Sequence, residues 1–297
     1  MVGRKRAVTL ATMFLALAAF AQQTPPTQGP APQAPAVRGH LVIVGGAMRD
    51  PAILKRFIEL AGGPDAAIVV IPTAGAEETY DQSYAGLQQF REAGAKNLTV
   101  LHTRDRKVAD SEEFVAPLKS ARGVFFPGGR QTRLAEAYLD TRTQRELEAL
   151  LARGGVVGGS SAGASIMASF LVRGDTRGND IMVGEYARGF AFLPDSAIDQ
   201  HLLRRNRQFD LIPIIEKFPE LLGIGIDEDT AIVVSGDEFE VIGRSYVSIH
   251  DRNRHIPPAG SFYFLAPGDK FNLKTRQATR PSQQGARPLE RVEARKP

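Results

Sequence analysis

The residues best suited to chemistry lie in one glycine-rich segment, GGVVGGSSAGASIM at positions 154–167. An apolar strand ends in glycines, a serine follows, and a helix-compatible run occupies 164–171. This is the strand–turn–helix setting of a nucleophile elbow, and Gly159, Ser161 and Gly163 supply its G-x-S-x-G pattern. The logic is steric. A tight turn forces the central serine into a sparsely populated backbone conformation, and small neighbours let the chain tolerate it. Ser161 Oγ then projects above the strand end. Backbone N–H groups at the helix N-terminus face the same point and can hold a tetrahedral oxyanion. A glycine-rich turn can also grip phosphate. Yet no lysine stands at the P-loop position, and Gly45 and Gly46 after the first apolar run lack the G-x-G-x-x-G spacing. Nucleotide binding is disfavoured.

A nucleophilic serine needs a base. The chain has 5 histidines. His40 precedes the first predicted strand, His102 ends the third, and His250 and His255 fall in a late hairpin region. His201 stands apart because Asp199, Gln200, Arg205 and Arg207 cluster around it, as substrate-positioning groups would. A third group must orient the imidazole and stabilise its charged form. Glu228 follows the apolar stretch 223–226 and can point into a cleft; Asp227 is its rival. The chain has no cysteine, which excludes disulfides, thiolate nucleophiles and cysteine-held zinc or iron–sulfur sites. We expect no metal and no cofactor.

The elements that must position these groups read as follows. Short apolar runs at 41–44, 67–71, 98–101, 124–126 and 156–157 each end at glycine, proline or a polar residue. Amphipathic stretches at 52–60, 84–93, 112–119 and 143–153 separate them. Strands without alternation, interleaved with helices, predict an α/β fold whose parallel sheet is covered on both faces. A helix is predicted within 206–217, with Pro213 at a kink or boundary. Runs at 223–226, 231–235, 239–242 and 246–249 then predict β-hairpins at one C-terminal edge of the sheet.

The ends differ from the body. Hydrophobic content of 43% and charged content of 24% are ordinary for a globular chain of 297 residues. The formal charge of +4 comes from the ends, which leave the body mildly acidic. A nucleic-acid partner would want a basic face on the domain itself, so none is expected. Arg4, Lys5 and Arg6 precede an apolar run over 7–21 that is short for a membrane span, and Ala19 and Ala21 form a small-x-small pattern. We read residues 1–21 as a cleavable signal peptide cut after Ala21, giving a secreted or periplasmic protein with no stable membrane anchor. Residues 22–38 are a Pro/Gln/Ala-rich linker, 39–273 a single α/β domain, and 274–297 a basic disordered tail.

Four segments in order resemble the cyanophycinase family of serine peptidases, which also contains aspartyl dipeptidase. They are FFPGGRQ (125–131), GGSSAGA (158–164), DQHLLRRNR (199–207) and GIGIDEDTA (223–231). The likeness covers about residues 40–250. It implies a flavodoxin-like sheet similar to that of class I glutamine amidotransferases. It implies Ser161 as nucleophile, His201 as base, Glu228 as orienting acid, and an oxyanion pocket from the backbone of Gly129 and Ala162. It further implies substrate contacts from Gln131, Asp199, Gln200, Arg205 and Arg207. The substrate implied is cyanophycin, a poly-aspartate chain bearing arginine on each side-chain carboxyl, or a β-aspartyl peptide. The oligomer implied is a homodimer. The order Ser, His, Glu differs from the Ser, acid, His order of ordinary α/β-hydrolases. Three positions depart from the family pattern. Asp210 replaces an expected arginine, Arg130 stands where an acidic residue or asparagine is common, and Ser160 stands where threonine is common. The first two point toward a different preference among aspartyl or isoaspartyl peptides.

Overall fold

The computed structural model describes residues 39–252 and 260–281. The expected signal peptide and the whole of the expected linker lie outside the described residues. Among the described residues no helix is long and apolar enough to cross a membrane.

The first half alternates strands and helices: β1 (His40–Val44), α1 (Pro51–Ala61), β2 (Ile68–Val70), α2 (Leu87–Glu92) and β3 (Leu98–Val100). It continues through α3 (Arg106–Ala109), α4 (Glu112–Ser120), β4 (Gly123–Phe126), α5 (Gln131–Tyr138), α6 (Arg142–Ala152) and β5 (Val156–Ser160). Local chemistry sets these limits. Asp50 caps α1 by accepting from Ala52 N, Pro51 opens the helix, and Gly62 closes it. Ser111 caps α4 by accepting from Phe114 N, with Glu112 and Glu113 in the first turn.

The second half holds α7 (Ala162–Ser165), β6 (Ala168–Phe170), β7 (Leu193–Gln200), α8 (Ile212–Lys217) and β8 (Leu222–Ile226). Six more strands complete the count: β9 (Thr230–Ser235), β10 (Glu238–Gly243), β11 (Val247–His250), β12 (Tyr263–Leu265), β13 (Lys270–Asn272) and β14 (Gln277–Thr279).

These strands form two sheets. One has nine strands in the order β14-β13-β10-β9-β1-β5-β4-β2-β3, and the other has five in the order β12-β11-β8-β7-β6. In the first, β1, β5, β4, β2 and β3 run parallel, and β9 adds to β1 in antiparallel register with Leu41 opposite Val234. In the second, β6, β7 and β8 are parallel, and β11 and β12 are antiparallel. Strand side chains alternate, so the large sheet feeds two cores. Leu41, Ile43, Val124, Phe126 and Val157 face α4, α6 and the small sheet. Val42, Val44, Phe125 and Val156 face Phe57 of α1 and Phe90 of α2.

The α/β class and parallel core agree with the expectation; three details differ. The late strands do not build one edge. β9 and β10 extend the large sheet while β8 and β11 belong to the small one. Single-strand periodicity carries no information on which sheet a strand joins. The helix-compatible run 164–171 yields a four-residue α7 and then β6, whose Phe170 pairs with Ala197 of β7. Tertiary pairing overrides local propensity there. Finally, β14 lies beyond the expected domain limit at 273 and pairs with β13. Ordered structure therefore reaches into the segment read as a disordered tail. Residues 282–297 lie outside the described residues.

Candidate active site

Three loops leave the carboxyl ends of β5, β7 and β8, and each carries one expected group. Ser161 follows β5, His201 follows β7, and Glu228 lies just past β8. Ser161 has φ 56° and ψ −112°, the sparsely populated conformation its turn predicts. The flanking glycines explain how the chain accepts it. A Cβ at Gly159 would lie 2.3 Å from Gly163 O, and one at Gly163 would lie 2.0 Å from Phe126 O. Both positions are close backbone approaches that exclude any side chain.

The three groups form one hydrogen-bonded line. Ser161 Oγ and His201 Nε2 are 2.9 Å apart, and His201 Nδ1 and Glu228 Oε1 are 2.8 Å apart. The line is half enclosed: the His201 side chain is 10% exposed and that of Glu228 18%. Glu228 on Nδ1 fixes the tautomer that leaves Nε2 free to accept a proton from Ser161. Burial holds the His201 imidazole below its ordinary pKa. The Glu228 hydrogen bond opposes this, and the nearby Arg205 and Arg207 cations add to the lowering.

The end of β1 ties the loops together. Ser161 N donates to Val44 O at 3.0 Å, His201 N to Gly45 O at 2.9 Å, and Asp229 N to Gly46 O at 3.0 Å. Three successive carbonyls thus hold the three loops. Gly46 has φ 135°, and a Cβ there would lie 2.3 Å from His201 Cε1 and 2.6 Å from Nδ1. The imidazole packs directly on that glycine.

The other expected residues divide into those at the site and those behind it. A Cβ at Gly128 would lie 3.3 Å from Ser161 Cβ, so the 128–129 backbone borders the serine. Ala162 is the first residue of α7, where an N–H has no intrahelical acceptor. Arg205 is exposed, while Arg207 is buried and donates to Gln200 Oε1 at 2.5 Å and Gln200 O at 3.2 Å. Gln131 is buried; its Nε2 donates to Val172 O at 3.0 Å, and its Oε1 has no partner among the described residues. Such a buried acceptor calls for a donor that the described residues do not supply.

Asp199 is elsewhere. It is fully buried, and both its oxygens are taken by Arg173, at 2.8 Å to Nε and 2.9 Å to Nη2. Gln200 N also donates to it at 2.9 Å. It therefore orients the end of β7 rather than facing the open site. Arg173 went unnoticed in the sequence; the only signal is a lone cation closing the apolar run 170–172. Asp227, the rival of Glu228, caps the turn after His201 by accepting from Leu203 N at 2.9 Å and Arg204 N at 3.0 Å. Its other oxygen accepts from Ser245 Oγ at 2.6 Å. It does not reach the imidazole.

The remaining histidines are committed to other tasks. His40 bonds Ser235 Oγ at 2.7 Å, His102 bonds Thr73 Oγ1 at 2.8 Å, and His250 is buried beside Ser248. His255 lies outside the described residues. Among the described residues no group of three His, Asp or Glu side chains converges as a metal site would require.

The chain as a whole is similar to known proteins. The family model of peptidase family S51 matches residues 41–242. A cyanophycinase from Geminocystis herdmanii is 35% identical over 264 residues, covering 81% of this chain and 96% of that protein. A cyanophycinase from Synechococcus elongatus is 33% identical over 262 residues, covering 81% of each. The crystal structure of a peptidase from an acI-B1 Actinobacterium superposes with a TM-score of 0.61 at 25% identity, covering 79% of this chain and 96% of that one.

Proposed function

The chain belongs to peptidase family S51 and is a serine peptidase, and from that premise we propose that it hydrolyses cyanophycin to β-aspartyl-arginine dipeptides through an acyl-enzyme. The observation that carries this reading is the continuous line Ser161–His201–Glu228 at 2.9 and 2.8 Å, with the serine on a strained elbow.

The steps follow from the geometry. His201 Nε2 takes the Ser161 proton as Oγ attacks the peptide carbonyl. Glu228 stabilises the imidazolium that forms. The N–H groups of Gly129 and Ala162 hold the oxyanion, and one such donor is typically worth about 3–4 kcal/mol in the transition state. The C–N bond breaks as His201 returns the proton to the leaving amine. Water, activated by the same histidine, then cleaves the Ser161 ester and releases the acid. Arg205 and Arg207 grip a substrate carboxylate. Gln131 Oε1 accepts from a substrate N–H.

The basic-then-apolar pattern of residues 1–21 supports action outside the cytoplasm on polymer released by other cells. A second reading, an aspartyl or isoaspartyl dipeptidase, is favoured by two residues: Asp210, where the family resemblance implies arginine, and Arg130, where it implies an acidic residue or asparagine.

Ser161→Ala is expected to leave a folded protein with hydrolysis lowered by about 10⁴–10⁶-fold. Wild type is expected to take a fluorophosphonate label at Ser161, and that variant to take none. Near-full activity in the variant would eliminate the mechanism. Product analysis on insoluble cyanophycin against an Asp-X dipeptide separates the two substrate readings.

A further inference from the structure

One charged feature beside the site is not used by the mechanism above. Asp210 Oδ2 accepts from Arg173 Nη2 at 2.6 Å, and its side chain is 35% exposed. Its second oxygen accepts no hydrogen bond among the described residues. Arg173 is already neutralised by its two bonds to the buried Asp199. Arg207 also lies in the field of both carboxylates, so two guanidiniums face two carboxylates, and Asp210 is the carboxylate of the two that solvent reaches.

Next to it stands an aromatic row. Phe209 is 58% exposed, more than any other large apolar side chain of the described residues. Its ring meets Phe262 edge-on at 5.8 Å; Phe262 meets Phe264 at 5.4 Å, and Phe264 meets Tyr246 at 5.8 Å. Tyr246 is itself 47% exposed. Single exposed aromatics are common and mean little, but a contiguous row beside a carboxylate marks a binding surface. Both ends of the row are anchored in the site. Phe209 lies on the loop that His201 opens, and Tyr246 O accepts from the N–H of Asp227, the neighbour of Glu228, at 3.2 Å.

We propose that Asp210 and Phe209 form a guanidinium subsite at the rim of the active site, with the aromatic row extending it. A guanidinium satisfies both partners at once: its N–H groups donate to the free Asp210 oxygen, and its planar face lies on the Phe209 ring. An ammonium, compact and strongly hydrated, suits the ring less well. The subsite is opposite in sign to the Arg205–Arg207 grip. Together the two fit a residue carrying a free carboxylate and a guanidinium, which is the arginine end of a β-aspartyl-arginine unit. The assignment rests on the peptidase reading above and adds to it the residues that select the cation. It also gives a reason for an aspartate where an arginine was expected: the rim accepts a cation there instead of repelling it.

The test compares β-aspartyl peptides ending in arginine or in citrulline, a neutral isostere. Wild type is expected to prefer arginine at least tenfold in kcat/KM. Asp210→Asn is expected to bring that ratio close to one, Asp210→Glu to restore part of it, and Phe209→Ala to lower it about threefold or more. General damage to the fold slows both substrates together and leaves the ratio standing, so the ratio isolates cation selection. The same peptides are titrated calorimetrically into Ser161→Ala, with and without Asp210→Asn. Selective, Asp210-dependent arginine binding without any hydrolysis by wild type would sink the peptidase reading and leave the subsite standing. Equal handling of the two peptides by wild type, or a ratio that neither Asp210→Asn nor Phe209→Ala moves, would overturn the subsite.

Discussion

Replacing Gly46 with alanine tests whether the end of β1 sets the catalytic geometry. The added Cβ would fall 2.3 Å from His201 Cε1 and 2.6 Å from Nδ1. Comfortable carbon–carbon contact begins near 3.5 Å, so the ring must retreat by about 1 Å or more. The Ser161–His201 hydrogen bond is 2.9 Å. A retreat of that size takes it to about 4 Å, beyond any useful hydrogen bond. Misplacement by about 1 Å commonly costs 10²-fold, and full loss of base assistance approaches the effect of removing the serine hydroxyl. We therefore expect kcat/KM to fall by about 10²–10⁴-fold, with fluorophosphonate labelling slowed in step. Residue 46 also has φ 135°, which a residue bearing a Cβ adopts only under strain of about 1–3 kcal/mol. In a domain of this size that lowers Tm by roughly 2–12 °C, which a scanning melt resolves. An alanine variant that melts in this range yet keeps kcat/KM within threefold of wild type would refute the idea that β1 positions the imidazole.

Two further outcomes follow from the site. A histidine base works when neutral, and burial with the Arg205 and Arg207 cations lowers the pKa of His201, the proposed base. Activity therefore rises with pH through a midpoint below 6.5, the ordinary histidine value. Arg205→Gln removes one depressing cation, so the acid limb of kcat/KM should move to higher pH while KM for a carboxylate-bearing substrate rises; a limb moving to lower pH would contradict the assignment. Asp199→Asn leaves the Arg173 guanidinium, 3% exposed, without its paired carboxylate. Breaking a buried pair from one side costs about 3–5 kcal/mol, so Tm should drop by roughly 10 °C. A neutral effect on Tm would mean that water or Asp210 alone satisfies Arg173.

Much of the site was legible because its signals are local. A glycine two residues before and two after Ser161, at the end of an apolar run, can be read within a window of a dozen residues. The imidazole was legible for a similar reason, since Asp199, Gln200, Arg205 and Arg207 cluster in sequence. The orienting acid was not. Asp227 and Glu228 are neighbours of similar chemistry, and only the turn after His201 separates their tasks. That turn has two backbone N–H groups to satisfy, and Asp227 satisfies both. The task of Asp199 was equally hidden, because its partner Arg173 lies 26 positions away.

The amino-acid order alone determined the α/β class, the strand–turn–helix around Ser161 and the choice of Ser161 and His201 as candidate nucleophile and base, since each depends on neighbours a few residues apart. Tertiary structure decided the rest: the division of the late strands between two sheets, the choice of Glu228 over Asp227, and the burial of Asp199 against Arg173. It also decided the meeting of three loops on the carbonyls of Val44, Gly45 and Gly46. These outcomes depend on which strand ends come to lie side by side, and strand pairing joins segments too far apart in the chain for any local pattern to record it.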